Sequence, residues 1–110
     1  MSYSTSSNNI RLTRGDTAKF NVTIKTRSGD IYEPVEGDTV VFTMKRRPTD
    51  KNTILVKQIP IDTLLLTIES EDTKNLEFGT YSFDLQLIFA NGDVDTFIEN
   101  KHLDITYEQD

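Results

Sequence analysis

The chain has no cysteine, no tryptophan and a single histidine, His102, in 110 residues. Without thiols there is no disulfide, no thiolate metal centre and no Cys-His nucleophile pair, and cysteine usage leaves the compartment open. A Ser-His-Asp relay would have to run through His102, which lies beside a turn near the C-terminus and reads as a surface residue. The five glycines, Gly15, Gly29, Gly37, Gly79 and Gly92, stand singly among turn residues and build no phosphate cradle. Basic residues are outnumbered, 12 Lys and Arg against 18 Asp and Glu, for a net charge of −6. That balance argues against nucleic acid as a main partner and against an anionic membrane surface. No apolar run approaches the length of a membrane-spanning helix, and Met1 to Asn9 is polar where a signal peptide needs an apolar core. The expectation is a protein made in a cytoplasm without a signal peptide.

What is there is alternation. In the stretch Thr80 to Ile98, Tyr81, Phe83, Leu85, Leu87 and Phe89 recur every second residue with Ser82, Asp84 and Gln86 between them. A period of two puts the apolar set on one face of a half-buried strand. Asn91-Gly92 has the composition of a two-residue type I′ turn, which sends the chain back antiparallel through Val94 to Ile98. Ala18 to Lys25 alternates in the same way, with Phe20, Val22 and Ile24 on one face. Thr39 to Lys45 follows with Val40, Phe42 and Met44 inward. Shorter strands are expected at Ile10 to Leu12, Ile54 to Ile59 and Leu103 to Tyr107. Leu64 to Ile68 fits a strand or an amphipathic helix, and its β-branched residues favour the strand. Ser70 can cap one helical turn that Gly79 ends.

Gly-Asp, Asn-Gly and Pro punctuate these runs. Arg14-Gly15-Asp16 is read as a turn rather than an integrin-type tripeptide, and Asn21-Val22-Thr23 as the polar face of a strand. The pattern is all-β: about seven to nine short antiparallel strands, spaced by turn signals about every 8 to 12 residues, as in an immunoglobulin-like β-sandwich. One domain spans residues 10–107, preceded by a flexible arm at 1–9 and followed by a frayed end at 108–110.

No pair of carboxylates demands an acid/base role, so the chain reads as non-enzymatic, with no cofactor and no metal. Asp93 and Asp95 share a face of the return strand, and with Asp84 across the hairpin they are the best calcium candidates. Three carboxylates on a solvated face are more often only that. Tyr3, Tyr32, Phe97 and Tyr107 are the aromatics left for the surface, and the last three with Asp93 and Asp95 are the candidate interaction residues. Phe97 is the candidate apolar anchor.

Leu12-Thr13-Arg14-Gly15-Asp16-Thr17 leading into Phe20-Asn21-Val22 resembles the opening of small β-sandwich structural proteins of tailed phages and prophages of Gram-positive bacteria. Gly37 to Lys45, Leu66-Thr67-Ile68 with Asp72-Thr73, Gly79 to Leu87, and Asn91 to Ile98 are similar to their later strands. The layout, over residues 10–107, resembles the N-terminal domain of baseplate upper proteins. The resemblance implies a virion component of the tail, baseplate or neck that acts by contacts with other virion proteins or with copies of itself. The alternative is a carbohydrate-binding module for host cell-wall attachment, which predicts an exposed row of aromatics.

Overall fold

A computed structural model describes residues 3–6, 9–25 and 28–107. The protein is mostly β. In chain order the strands are β1 (Tyr3–Ser6), β2 (Asn9–Thr13), β3 (Ala18–Asn21), β4 (Ile24–Lys25), β5 (Ile31–Tyr32), β6 (Thr39–Lys45), β7 (Leu55–Ile59) and β8 (Leu65–Ile68). One helical turn, α1 (Ser70–Thr73), leads to the long hairpin β9 (Gly79–Ile88) and β10 (Val94–Thr106). Six strands form one sheet in the order β1-β2-β10-β9-β6-β7, while β3-β8 and β4-β5 form two small sheets. Every pairing is antiparallel except that of β2 with β10.

Alternation decides which face of the large sheet is buried. Val40, Phe42 and Met44 of β6 and Tyr81, Phe83, Leu85 and Leu87 of β9 point inward, joined by Ile10, Leu12, Leu103 and Ile105. Ala18, Ile24, Leu66 and Ile68 of the small sheets belong to the same buried cluster. The small sheets therefore close one face of the large one. The other face carries Thr43, Lys45, Ser82, Asp84, Gln86, His102 and Asp104, in positions half-buried or exposed.

Four local expectations give way to the structure. Ala18 to Lys25 is not one strand: after Asn21 the chain leaves β8, and the Val22 amide donates to Leu64 O at 2.8 Å before β4 pairs with β5. Tyr3–Ser6, expected as part of a flexible arm, lies as the edge strand β1 against β2; the rest of residues 1–8, and the frayed end expected at 108–110, lie outside the described residues. α1 is capped by Glu69 rather than Ser70, because the Glu69 amide donates to Asp72 Oδ2 at 2.8 Å. The hairpin does not use a two-residue I′ turn. Gly92 N donates to Phe89 O and Phe89 N to Asp93 O, both at 2.8 Å, so three residues, Ala90 to Gly92, form the loop. Only Gly92 takes positive φ there, at 95°, the form of a tight turn followed by one left-handed residue.

Candidate interaction surface at the hairpin tip

Asp38 organises the end of the molecule where the β9-β10 loop meets the segment from Ile31 to Asp38. Its carboxylate is buried, and Oδ2 accepts the Tyr32 hydroxyl at 2.7 Å and the Val35 amide at 3.0 Å. The Ala90 amide of the hairpin loop adds a further donor. These donors hold the Asp38 carboxyl below its ordinary value, the Tyr32 hydroxyl first and the Val35 amide next, against the opposing push of burial. The same hydrogen bond, with burial behind it, raises the Tyr32 phenol above its ordinary value. Tyr32 also meets Phe89 edge to face, with centroids 5.8 Å apart. Gly37 completes the junction: a Cβ built there would lie 3.0 Å from Ala90 Cβ, and φ is 98°. A side chain at 37 would push the two segments apart.

Outside this staple the tip is apolar and acidic. Of the seven exposed large hydrophobics among the described residues, Ile31 and Val35 lie in the first of these segments and Val94 opens β10 just past the loop. Glu33, Glu36 and Asp93 are exposed beside them. No Lys or Arg occurs in 28–44 or in 75–100. Exposed Lys25, paired with Ile31 across β4-β5, adds one positive charge at this rim. Apolar residues rimmed by mostly acidic charge suit protein contact better than a solvated loop does.

The predicted site residues separate. Tyr32, Asp93 and Asp95 belong to the tip region. Asp93 closes the loop, its amide donating to Asn91 Oδ1 at 3.0 Å, while Asp95 pairs across the ladder with Leu87. Asp84 does not join them, since its Oδ1 accepts the Asn100 amide at 2.8 Å farther down the hairpin. Among the described residues no cluster of three or more His, Asp or Glu is placed to hold a metal ion.

Phe97 is not the exposed anchor that its place in the return strand suggested. A register shift between Thr96 and Ile98 leaves it unpaired in a bulge, where it is half-buried and packs against the core. The bulge lets both Phe97 and Ile98 reach the core from adjacent positions, which strict alternation forbids.

Tyr107 stands elsewhere, 62% exposed, meeting Phe78 edge to face at 5.7 Å and 71°. Arg14 lies 4.0 Å over the other aromatic of that pair, Phe78, and its Nη1 donates to Leu76 O at 3.3 Å. The Gly15 amide donates to buried Thr73 Oγ1 at 2.8 Å. The Arg14-Gly15-Asp16 turn is thus tied to α1 by its backbone and to the segment after α1 by its side chain. His102 is exposed opposite Ser82 on the open sheet face, with its backbone amide bonded to Asn9.

Residue patterns pointed to Tyr32 but missed Asp38, which reads as one more Gly-Asp turn, and Phe78. The Tyr32-Asp38 bond joins residues six apart through a loop, a spacing that no strand or helix period marks. Comparison with known proteins finds no matching family model, no matching curated protein and no matching solved structure.

Proposed function

We propose that this chain is a non-enzymatic structural module of a phage or prophage virion, assembling through protein-protein contacts at the hairpin tip. The observation that carries the reading is the tip itself: exposed Ile31, Val35 and Val94 held in place by the Tyr32-Asp38-Ala90 staple. A surface fixed in advance loses little entropy on docking, which favours assembly. The polar groups support the same view. Asp38, Asp72, Asp84 and Asp104 hold a loop, a helix cap, a bulge and a neighbouring strand respectively. An immunoglobulin-like sandwich is the finer fold that we propose for the layered sheets. Within a virion the partners are neighbouring structural proteins or further copies of the chain.

The test is molar mass in solution across a range of concentrations, for the native chain and for Val35→Ser/Val94→Ser. A discrete trimer or hexamer that falls to monomer in the double variant supports assembly through the tip, since tails and baseplates are built on three-fold and six-fold symmetry. An oligomer indifferent to both substitutions overturns the tip as the contact. A monomer at every concentration overturns self-assembly and leaves docking on a different virion protein.

The carbohydrate-binding alternative draws on one observation, the exposed Phe78-Tyr107 pair. Its rings meet at 71° and Arg14 covers Phe78, so they offer no flat row for a sugar chain. A glycan-array signal lost in Tyr107→Ala would reinstate it.

A further inference from the structure

We infer that Asn91 is a site of spontaneous covalent modification, converting to aspartyl and isoaspartyl forms through a succinimide made with Gly92. The chemistry needs a side-chain amide followed by a backbone nitrogen that can reach it, and three features of the hairpin loop meet that need.

First, the following residue is glycine, with φ 95° and nothing within 4 Å of where a Cβ would stand. No side chain at 92 shields the nitrogen or resists the rotation that brings it to Asn91 Cγ. Second, the Asn91 amide is already polarised. Its Oδ1 accepts the Asp93 amide at 3.0 Å, so a backbone N–H faces the oxygen that becomes negative as the ring closes. Third, the Asp93 carboxylate lies on the leaving side, with Oδ2 3.3 Å from Asn91 Nδ2, positioned to exchange protons with the departing nitrogen.

The step balances with water as the only co-reactant. The Gly92 nitrogen gives up its proton and bonds to Asn91 Cγ; the Cγ–Nδ2 bond breaks and ammonia leaves. Water then opens the five-membered ring at either carbonyl, giving aspartate or isoaspartate. The one opposing contact is the Gly92 amide's bond to Phe89 O at 2.8 Å, which must open first. It closes an exposed loop at the end of a hairpin, where local opening costs least.

The product changes the tip. A donor facing Asp93 becomes a carboxylate facing a carboxylate, and the isoaspartyl form adds a backbone carbon to a three-residue loop. The inference concerns the chain's own chemistry and holds whether or not the tip docks a partner.

The experiment is timed incubation of the folded protein in mildly alkaline buffer, with a urea-unfolded sample alongside, followed by tryptic mapping. The expected result is loss of the unmodified Asn75 to Lys101 peptide in the folded sample, with aspartyl and isoaspartyl products assigned to Asn91. The two other asparagines of that peptide, Asn75 before Leu76 and Asn100 before Lys101, have side-chain-bearing successors and should remain intact for longer. Asn91→Gln, which lengthens the ring to be closed while keeping the amide, should abolish the products. Conversion seen only in urea would overturn the inference, as would conversion of Asn100 as fast as Asn91.

Discussion

At the scale of single residues, Asp38 shows how a turn residue becomes a structural centre. A carboxylate that accepts from Tyr32, Val35 and Ala90 is stabilised in its charged form, so its folded pKa lies below its unfolded one. The resulting stability is fully present above the ordinary carboxylate value and is lost as pH falls through the lowered folded value. Asp38→Asn keeps the size but gives up the charge and turns one acceptor into a donor. The variant should be less stable than the native chain near neutral pH, and the gap between their melting temperatures should close on acidification. A gap that stays constant through the acid limb would show that the charge of Asp38 contributes nothing. Tyr32 works in the opposite sense. Its raised pKa marks stability that is present below the ordinary phenol value and lost as pH rises through the folded one. Tyr32→Phe should therefore flatten part of the alkaline limb of the stability profile.

At the scale of elements, β10 is the informative case. Its twelve residues from Val94 to Ile105 pair with the ten of β9 only because two register shifts take up the excess. The second shift is held by Asn100, which sits at φ 52° with its amide bonded to Asp84 Oδ1. A left-handed conformation costs an ordinary L-residue about 1–2 kcal/mol, and Asn tolerates it better than most. Asn100→Ala should lower stability by about 1 kcal/mol, while Asn100→Gly should cost little, as read from urea midpoints with unchanged slope. Equal losses in the two variants would assign the effect to the lost side chain rather than to the backbone.

The same strand marks the limit of reading sequence alone. Alternation in β6 and β9 is strict, and every inward residue it named in Val40 to Met44 and in Tyr81 to Leu87 is buried. Phe97 and Ile98 break alternation, and no residue-type signal says that a bulge brings both of them to the core. Asn91-Gly92 was legible as a turn but not as a three-residue one, since Ala90 carries no turn chemistry of its own. The staple at the tip was illegible for a related reason: it is a tertiary contact between loops, and Asp38 resembles every other Asp that follows a glycine.

At the scale of the whole molecule, three sheets that share few backbone hydrogen bonds still share one core. The β3-β8 pair supplies Ala18, Leu66 and Ile68 and the β4-β5 pair supplies Ile24 to the cluster that Phe42, Met44, Leu87 and Leu103 form on the large sheet. Neither pair could be stable by itself, because a two-stranded ribbon is marginal in water. Both sheets must therefore melt with the large one, in a single cooperative transition. Edge protection points the same way. β7 ends the sheet, and its inward-facing Lys57 is neutralised by Asp72 of α1, with Nζ and Oδ2 2.7 Å apart. An inward charge discourages a second chain from adding to that edge, while the ion pair ties the edge to the segment after β8. Phe42 sits at the centre with no exposed surface, so Phe42→Ala should cost about 3–5 kcal/mol. The loss should appear equally in far-UV circular dichroism, which reads the strands, and in the summed fluorescence of the four tyrosines, among them Tyr81 within the core and Tyr32 at the tip. If the tyrosine signal unfolds ahead of the strands, the tip and small sheets form a separate unit and the single core does not govern stability.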